Sequence, residues 1–335
     1  MSFSDLSANQ LRVLTDARQT WDAYREAKHV LSRYAGGMTW KTVGGREYLV
    51  KVLNRRGANR SLGPRSAQTE SVFQEWSAGK MRAAERETSL ARSLDEMAGM
   101  SVGVRINRVP SVVTAALRRL DEFGLLGKNL MVIGTNALYA YEAAAGVQFD
   151  AGLLATSDVD LLWDARSSLK LALFDGEVAE AGLLAILKKV DRSFTPRENA
   201  TFSAVNKAGF MVDLIKQVPK PPWKRGEPEK MAAGDLTPSW IENVKWLLAS
   251  EKFHAVVVGQ DGFPAPMICP EPRAFATYKQ WLSGQDDRDP AKKARDQHQA
   301  LAVAGLVAEK FPHLKFDAAA NRQFPQALRG LRRPP

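Results

Sequence analysis

The chain has 335 residues, 45% of them apolar and 25% charged, a balance that excludes a disordered chain and a small disulfide-stapled scaffold. Its 47 Lys and Arg outweigh 37 Asp and Glu, a formal charge of +10 that favours polyanionic partners such as RNA, DNA or nucleotides. The single cysteine, Cys269, allows no intramolecular disulfide and no cysteine-based zinc site, so a reducing, cytoplasmic setting is expected.

The opening Met1-Ser2-Phe3-Ser4-Asp5 lacks the basic and apolar regions of a signal peptide, and no apolar run approaches bilayer length; neither export nor membrane insertion is expected. From Leu6 to Tyr34 the apolar residues recur at helical spacing, which predicts an amphipathic helix. Two strands, Met38–Val43 and Glu47–Val52, flank Gly44-Gly45, a pair suited to the positive φ angles of a tight hairpin. The segment Asn54–Arg65 then joins Arg55, Arg56, Arg60 and Arg65 to two glycines and reads as a basic loop, either phosphate-binding or merely solvated.

Helices are expected over Ala67–Met97 and Pro110–Phe123, the second ended by Gly124 and Gly127. Leu130–Ile133 reads as a buried strand, and Asn136–Ala145 as a helix closed by Gly146. Strands follow at Val159–Trp163, Leu169–Phe174, Thr201–Val205 and Phe210–Ile215, with a helix at Val178–Val190. A Pro-, Lys- and Gly-rich stretch, Gln217–Asp235, marks a boundary or a long surface loop. Beyond it come a helix at Ser239–Ser250, strands at Ala255–Val258 and Ala265–Ile268, and helices at Pro272–Leu282 and Pro290–Lys310. The pattern predicts an α+β fold with a mixed sheet flanked by helices. Its parts are a basic N-terminal helical and hairpin region (1–105), a catalytic core (106–218) and a mostly helical C-terminal region (219–335).

Three pieces of sequence carry chemistry. Gly134-Thr135 lies between a strand and a helix, where glycine admits close backbone approach and the hydroxyl adds a donor for phosphate; a plain tight turn is the alternative. Asp158 and Asp160 stand two apart on a strand, which places both carboxylates on one face. Their repulsion is relieved by a divalent cation such as Mg²⁺, unless the doublet merely forms a strand-end turn. Asp213 interrupts the apolar strand Phe210–Ile215 and needs either the same cation or a salt bridge to Lys216 or Arg192. Three acids from neighbouring strands can hold a pair of Mg²⁺ ions for phosphoryl transfer.

Together these pieces resemble the DNA polymerase beta-like nucleotidyltransferase superfamily, with Gly-Thr where the usual pattern has Gly-Ser. The form Thr156-x-Asp158-Val159-Asp160, followed by Pro272, Lys279, Arg288, Lys292, Arg295 and Asp296, is similar to the bacterial branch that contains abortive-infection nucleotidyltransferase toxins. The resemblance covers Lys128–Ala300. It implies transfer of an NMP group from an NTP to an acceptor hydroxyl with Mg²⁺ or Mn²⁺, and a nucleotidyltransferase core. Asp158, Asp160 and Asp213 would bind metal and carry the catalysis, and Gly134, Thr135 and Lys279 would hold the triphosphate. Asp296 would orient a basic neighbour or assist catalysis. RNA, with tRNA as one candidate, is the preferred acceptor, and the toxin-like branch implies an antitoxin partner.

Further nucleic-acid contacts are expected from Arg55, Arg56, Arg60 and from Lys224 and Arg225 beside Trp223. The rival reading is a non-catalytic winged-helix regulator that uses Arg118 and Arg119 on phosphates, or an inactive nucleotidyltransferase-like protein. His29, His254, His298 and His313 are too scattered for a zinc enzyme.

Overall fold

Glycines in the left-handed region set several of the boundaries that the sequence announces. Gly44 and Gly45 turn the first hairpin at φ 56° and 76°, Gly124 ends a helix at φ 65°, and Gly146 closes another at φ 68°. A computed structural model describes residues 2–53, 58–164, 182–219, 230, 232, 234–317 and 321–328. The chain forms two units, Arg12–Gly103 and Met1–Leu11 with Val104–Pro335.

In chain order the first elements are β1 (Phe3–Asp5), α1 (Ala8–Ser32), β2 (Gly37–Val43), β3 (Arg46–Val52), β4 (Asn59–Pro64) and α2 (Ala67–Gly103). Within Arg12–Gly103 the three strands β2, β3 and β4 make an antiparallel meander, and Trp40 of β2 lies 6.0 Å from Phe73 of α2, ring to ring. The basic segment expected to be a loop is therefore half strand. Arg60 lies in β4, exposed and in register with Lys51, while Arg65 is held by Glu47 at 2.7 Å and Glu70 at 2.8 Å. Residues 54–57, with Arg55 and Arg56, lie outside the described residues.

The other unit follows with α3 (Ser111–Glu122), β5 (Leu130–Ile133), α4 (Ala137–Ala145), β6 (Val147–Phe149), α5 (Ala151–Leu154), β7 (Asp158–Trp163) and α6 (Gly182–Val190). It continues with β8 (Thr195–Arg197), β9 (Ala200–Val205), β10 (Met211–Gln217), β11 (Ser239–Ile241), α7 (Lys245–Leu248), β12 (Lys252–Val258), β13 (Pro264–Pro270), α8 (Pro272–Ser283) and α9 (Pro290–Lys310). The fold is α+β. Its main sheet runs β5-β7-β10-β9-β8, with β11 also on β10. β7 and β10 are parallel, and β5 is antiparallel to β7. β1 pairs with β6 and β12 with β13 in separate antiparallel ribbons.

Alternation along the sheet divides its two faces. Leu130, Val132, Val159, Leu161, Trp163, Val212 and Leu214 face the larger core, with α3, α4 and α6. Met131, Ile133, Leu162 and Ile215 face a smaller one that holds Trp246, Leu247, Ala274 and Tyr278. Asp158 and Asp160 share parity with Leu162, and Asp213 with Ile215, so all three acids stand on this second face.

The helix expected over Ser239–Ser250 is instead β11 and the four-residue α7. Asn243 between them adopts φ 64°, which no helix tolerates, and Ser239–Ile241 pairs in parallel with Ile215–Gln217. The expected strand at Leu169–Phe174 lies outside the described residues, as do Lys224, Arg225 and Trp223 of the proline-rich stretch; α6 is described from Gly182. Among the described residues no helix is long and apolar enough to cross a membrane.

Candidate active site

The acids meet because of strand register. β7 and β10 pair with Asp160 opposite Asp213 and Asp158 opposite Met211, so the carboxylates of Asp160 and Asp213 project side by side from adjacent parallel strands. On the other side of β7, Asp160 is in register with Ile133, the last residue of β5. The chain then turns through Gly134-Thr135-Asn136 into α4. Gly134 has φ 68° and faces the Asp160 carboxylate so closely that a Cβ there would lie 2.1 Å from Oδ2. The turn is tied to the next strand by Asn136, whose Nδ2 donates to the Asp158 carbonyl at 2.7 Å. Thr156 donates its hydroxyl to the Asp158 carboxylate.

Two helices complete the constellation from the C-terminal side. Each begins with an acid that caps its own N-terminus and a proline in the first turn: Glu271-Pro272 for α8 and Asp289-Pro290 for α9. α8 delivers Lys279 and α9 delivers Asp296, both buried, with Nζ 2.6 Å from Oδ1. The other oxygen of Asp296 takes Arg288, Nε at 2.9 Å and a terminal nitrogen at 2.8 Å. One turn on, α9 places Gln299 against Thr135 Oγ1 at 3.2 Å and the Leu153 carbonyl at 2.7 Å.

The electrostatics are those of an anionic cluster short of positive charge. Burial, then the charges of Asp158 and Asp213, push Asp160 up to about 7, against the pull of Lys279 and Lys292. Asp213 is raised too, first by burial and then by Asp158, with Ser203, Arg197 and Lys292 opposing. Its Oδ1 is buried with no hydrogen-bond partner. Burial lowers Lys279, which Asp296 and Asp160 counter. Hard oxygen donors crowded together with an orphaned carboxylate oxygen fit a divalent cation such as Mg²⁺. Among the described residues, no group of three or more His, Cys, Asp or Glu side chains is already arranged to hold one.

A sequence model of the family described as "Nucleotidyltransferase" matches residues 111–325, about two thirds of the chain. The chain belongs to this nucleotidyltransferase family. No curated protein and no solved structure matches it significantly.

The nucleotidyltransferase match starts at the first residue of α3 and takes in Gly134, Thr135, Asp158, Asp160, Asp213, Lys279 and Asp296, which the fold gathers at one end of β5, β7 and β10. Arg60 is in the other unit. Lys216, a suggested partner for Asp213, lies on the opposite face of β10, its Nζ 4.2 Å from the centre of the Trp163 ring. The arginines of the winged-helix reading are engaged internally: Arg118 pairs with Asp261 at 2.8 Å and Arg119 with Glu122 at 2.7 Å. Asn136, Ser203 and Gln299 escaped the sequence reading. For Gln299 a signal existed, since it stands three residues after Asp296 and so shares its helix face. Beside α9 a cavity of about 540 Å³ is lined by Ser2, Asp150, Leu153, Arg295, His298 and Leu301.

Proposed function

We propose that this nucleotidyltransferase moves an NMP group from an NTP to an acceptor hydroxyl, releasing pyrophosphate, and that it uses Mg²⁺ or Mn²⁺ to do so. The observation that carries the reading is the register of Asp213 with Asp160 beside the Gly134 turn. Asp158, Asp160 and Asp213 would hold the cation, which when bound neutralises triphosphate charge and eases ionisation of the attacking hydroxyl. Asp213, opposite Asp160 on the neighbouring strand, is the carboxylate assigned to help draw the proton from the hydroxyl. Backbone N–H groups of the Gly134 turn and the Thr135 hydroxyl donate to the β- and γ-phosphates. Lys279, fixed by Asp296, supplies positive charge behind the carboxylates.

RNA is the acceptor we favour, with tRNA as one candidate. More than half of the chain's net positive charge lies in Arg12–Gly103, a balance suited to a phosphate backbone. The likeness of Thr156–Asp160 and of the Lys279 to Asp296 segment to the abortive-infection branch supports a toxin-like role with an antitoxin partner, in the cytoplasm. The test is transfer from each of the four labelled NTPs to cellular RNA with Mg²⁺ or Mn²⁺. Label is expected in RNA with the native chain and absent with Asp158→Asn or Asp160→Asn, both folded. No transfer to RNA, protein or small molecules, or full transfer by both variants, overturns the assignment.

A further inference from the structure

The hydrogen-bond directions around Gln299 follow from chemistry alone. The Leu153 carbonyl can only accept, so the Gln299 side-chain atom 2.7 Å from it is the amide nitrogen. The second hydrogen of that nitrogen is directed at Thr135 Oγ1, 3.2 Å away. Thr135 therefore accepts from Gln299, and its own hydrogen is left to point elsewhere. Both residues are buried, Gln299 at 0% exposure and Thr135 at 5%. With Gln299 supplying only hydrogens to it, the Thr135 hydroxyl keeps its own hydrogen for an acceptor other than Gln299.

The other half of the amide argues against a purely structural role. Gln299 Oε1 is buried without a donor, which costs about 1–3 kcal/mol in a folded protein. An apolar side chain of the same length would fill the space without that penalty. What only the amide supplies is the pair of donors that joins the α5 carbonyl to the Thr135 hydroxyl.

We infer that Gln299 is a positioning residue: it holds Thr135 as an acceptor so that the Thr135 O–H is preset to donate to a phosphate oxygen of the nucleotide. The inference rests on the functional reading above and deepens it, because it states how the site orders its donor before the triphosphate arrives. Gln299 touches no phosphate itself and acts only through Thr135.

The experiment is a double-mutant cycle on KM and kcat for the NTP, with the Kd of a fluorescent Mn²⁺–NTP analogue measured alongside. Gln299→Met keeps chain length and helix propensity but removes both donors. Loss of one oriented hydrogen bond to a charged oxygen predicts a KM raised about 10-fold with kcat little changed. Thr135→Val should do the same, and the double variant should be no worse than either single one. Thr135→Ser, which keeps the hydroxyl, should raise KM less than Thr135→Val does and should respond to Gln299→Met as the native chain does. A thermal melt checks folding. If Gln299→Met is unfolded, Gln299→Glu serves instead: its carboxylate only accepts, so Thr135 turns its hydrogen back toward residue 299 and KM rises again. A native KM in the folded Gln299 variant, or losses that add in the double variant, overturn the inference while the functional reading stands. A native chain that neither binds nor transfers any NTP fails the functional reading first and takes this inference with it.

Discussion

Replacing Gly134 by alanine isolates what its close approach to Asp160 contributes. The added Cβ would meet Asp160 Oδ2 at 2.1 Å, Cγ at 3.2 Å and Cβ at 3.5 Å, so the carboxylate oxygen must shift by more than about 1 Å to reach ordinary van der Waals separation. A displacement of that size in a catalytic group lowers turnover by about 100-fold. The substitution also strains the backbone, because Gly134 sits at φ 68°, at about 1 kcal/mol for an L residue. Gly124→Ala provides the control: φ there is 65°, and nothing lies within 4 Å of the added atom. Urea unfolding should show similar, small losses of stability in the two variants. Steady-state transfer of labelled nucleotide should be near native in Gly124→Ala and about 100-fold lower in Gly134→Ala. Activity in Gly134→Ala within a few-fold of the control would refute the claim that the turn and Asp160 form one site.

Asp160, held at about 7 against an ordinary value near 4, binds its proton more tightly folded than unfolded. The metal-free chain should thus lose stability as pH rises from about 4 to about 7 and level off above that; Asp160→Asn should remove that component from melting curves, and Mn²⁺ at pH 8 should raise the native midpoint but not the variant's. In the trio of Lys279, Asp296 and Arg288, Asp296→Asn removes the carboxylate that contacts both cations, a loss of about 3–5 kcal/mol, whereas Lys279→Met leaves Asp296 bound to Arg288 and should cost less. Urea midpoints in the reverse order would contradict the pairing. Replacing Arg55, Arg56 and Arg60 together by alanine should weaken RNA binding and flatten the slope of log K against log salt, as measured by filter binding from 50 to 200 mM KCl; an unchanged slope makes those arginines solvated surface.

What could be read from the sequence is what local physics dictates. The strand carrying Asp158 and Asp160, the glycine turns and the helix Pro290–Lys310 are visible because alternation, positive φ and proline-led caps leave marks in short windows. The three-residue strands β1, β6, β8 and β11 leave no such mark, because a partner strand far along the chain decides them. Ser239–Ile241 looked helical until its pairing with β10 overrode the pattern. The acids were legible as types, but their meeting depends on the parallel register of β7 with β10, which no window contains. Lys279 and Asp296 were visible singly; that they bind each other, with Arg288 on the second oxygen, follows only from how α8 packs on α9.

That packing explains how polar groups are held accurately in a buried setting. On α9 the stripe that enters the core runs Asp296, Gln299, Val303, Leu306 and Val307, each 0% exposed. Its apolar half sits in the larger core and fixes the rotation and height of the helix; its polar half, one and two turns earlier, is thereby delivered to Lys279 and Thr135. A change of helix phase that would take Gln299 off Thr135 would also pull Leu306 out of the core, and burying a leucine contributes about 1.5–3 kcal/mol. Hydrophobic packing at the far end of α9 therefore sets the geometry of the hydrogen bonds near its start. It follows that Leu306→Ala, with no atom near the carboxylates, should reach nucleotide affinity through Gln299 and Thr135, and should lose that reach in the Thr135→Val background.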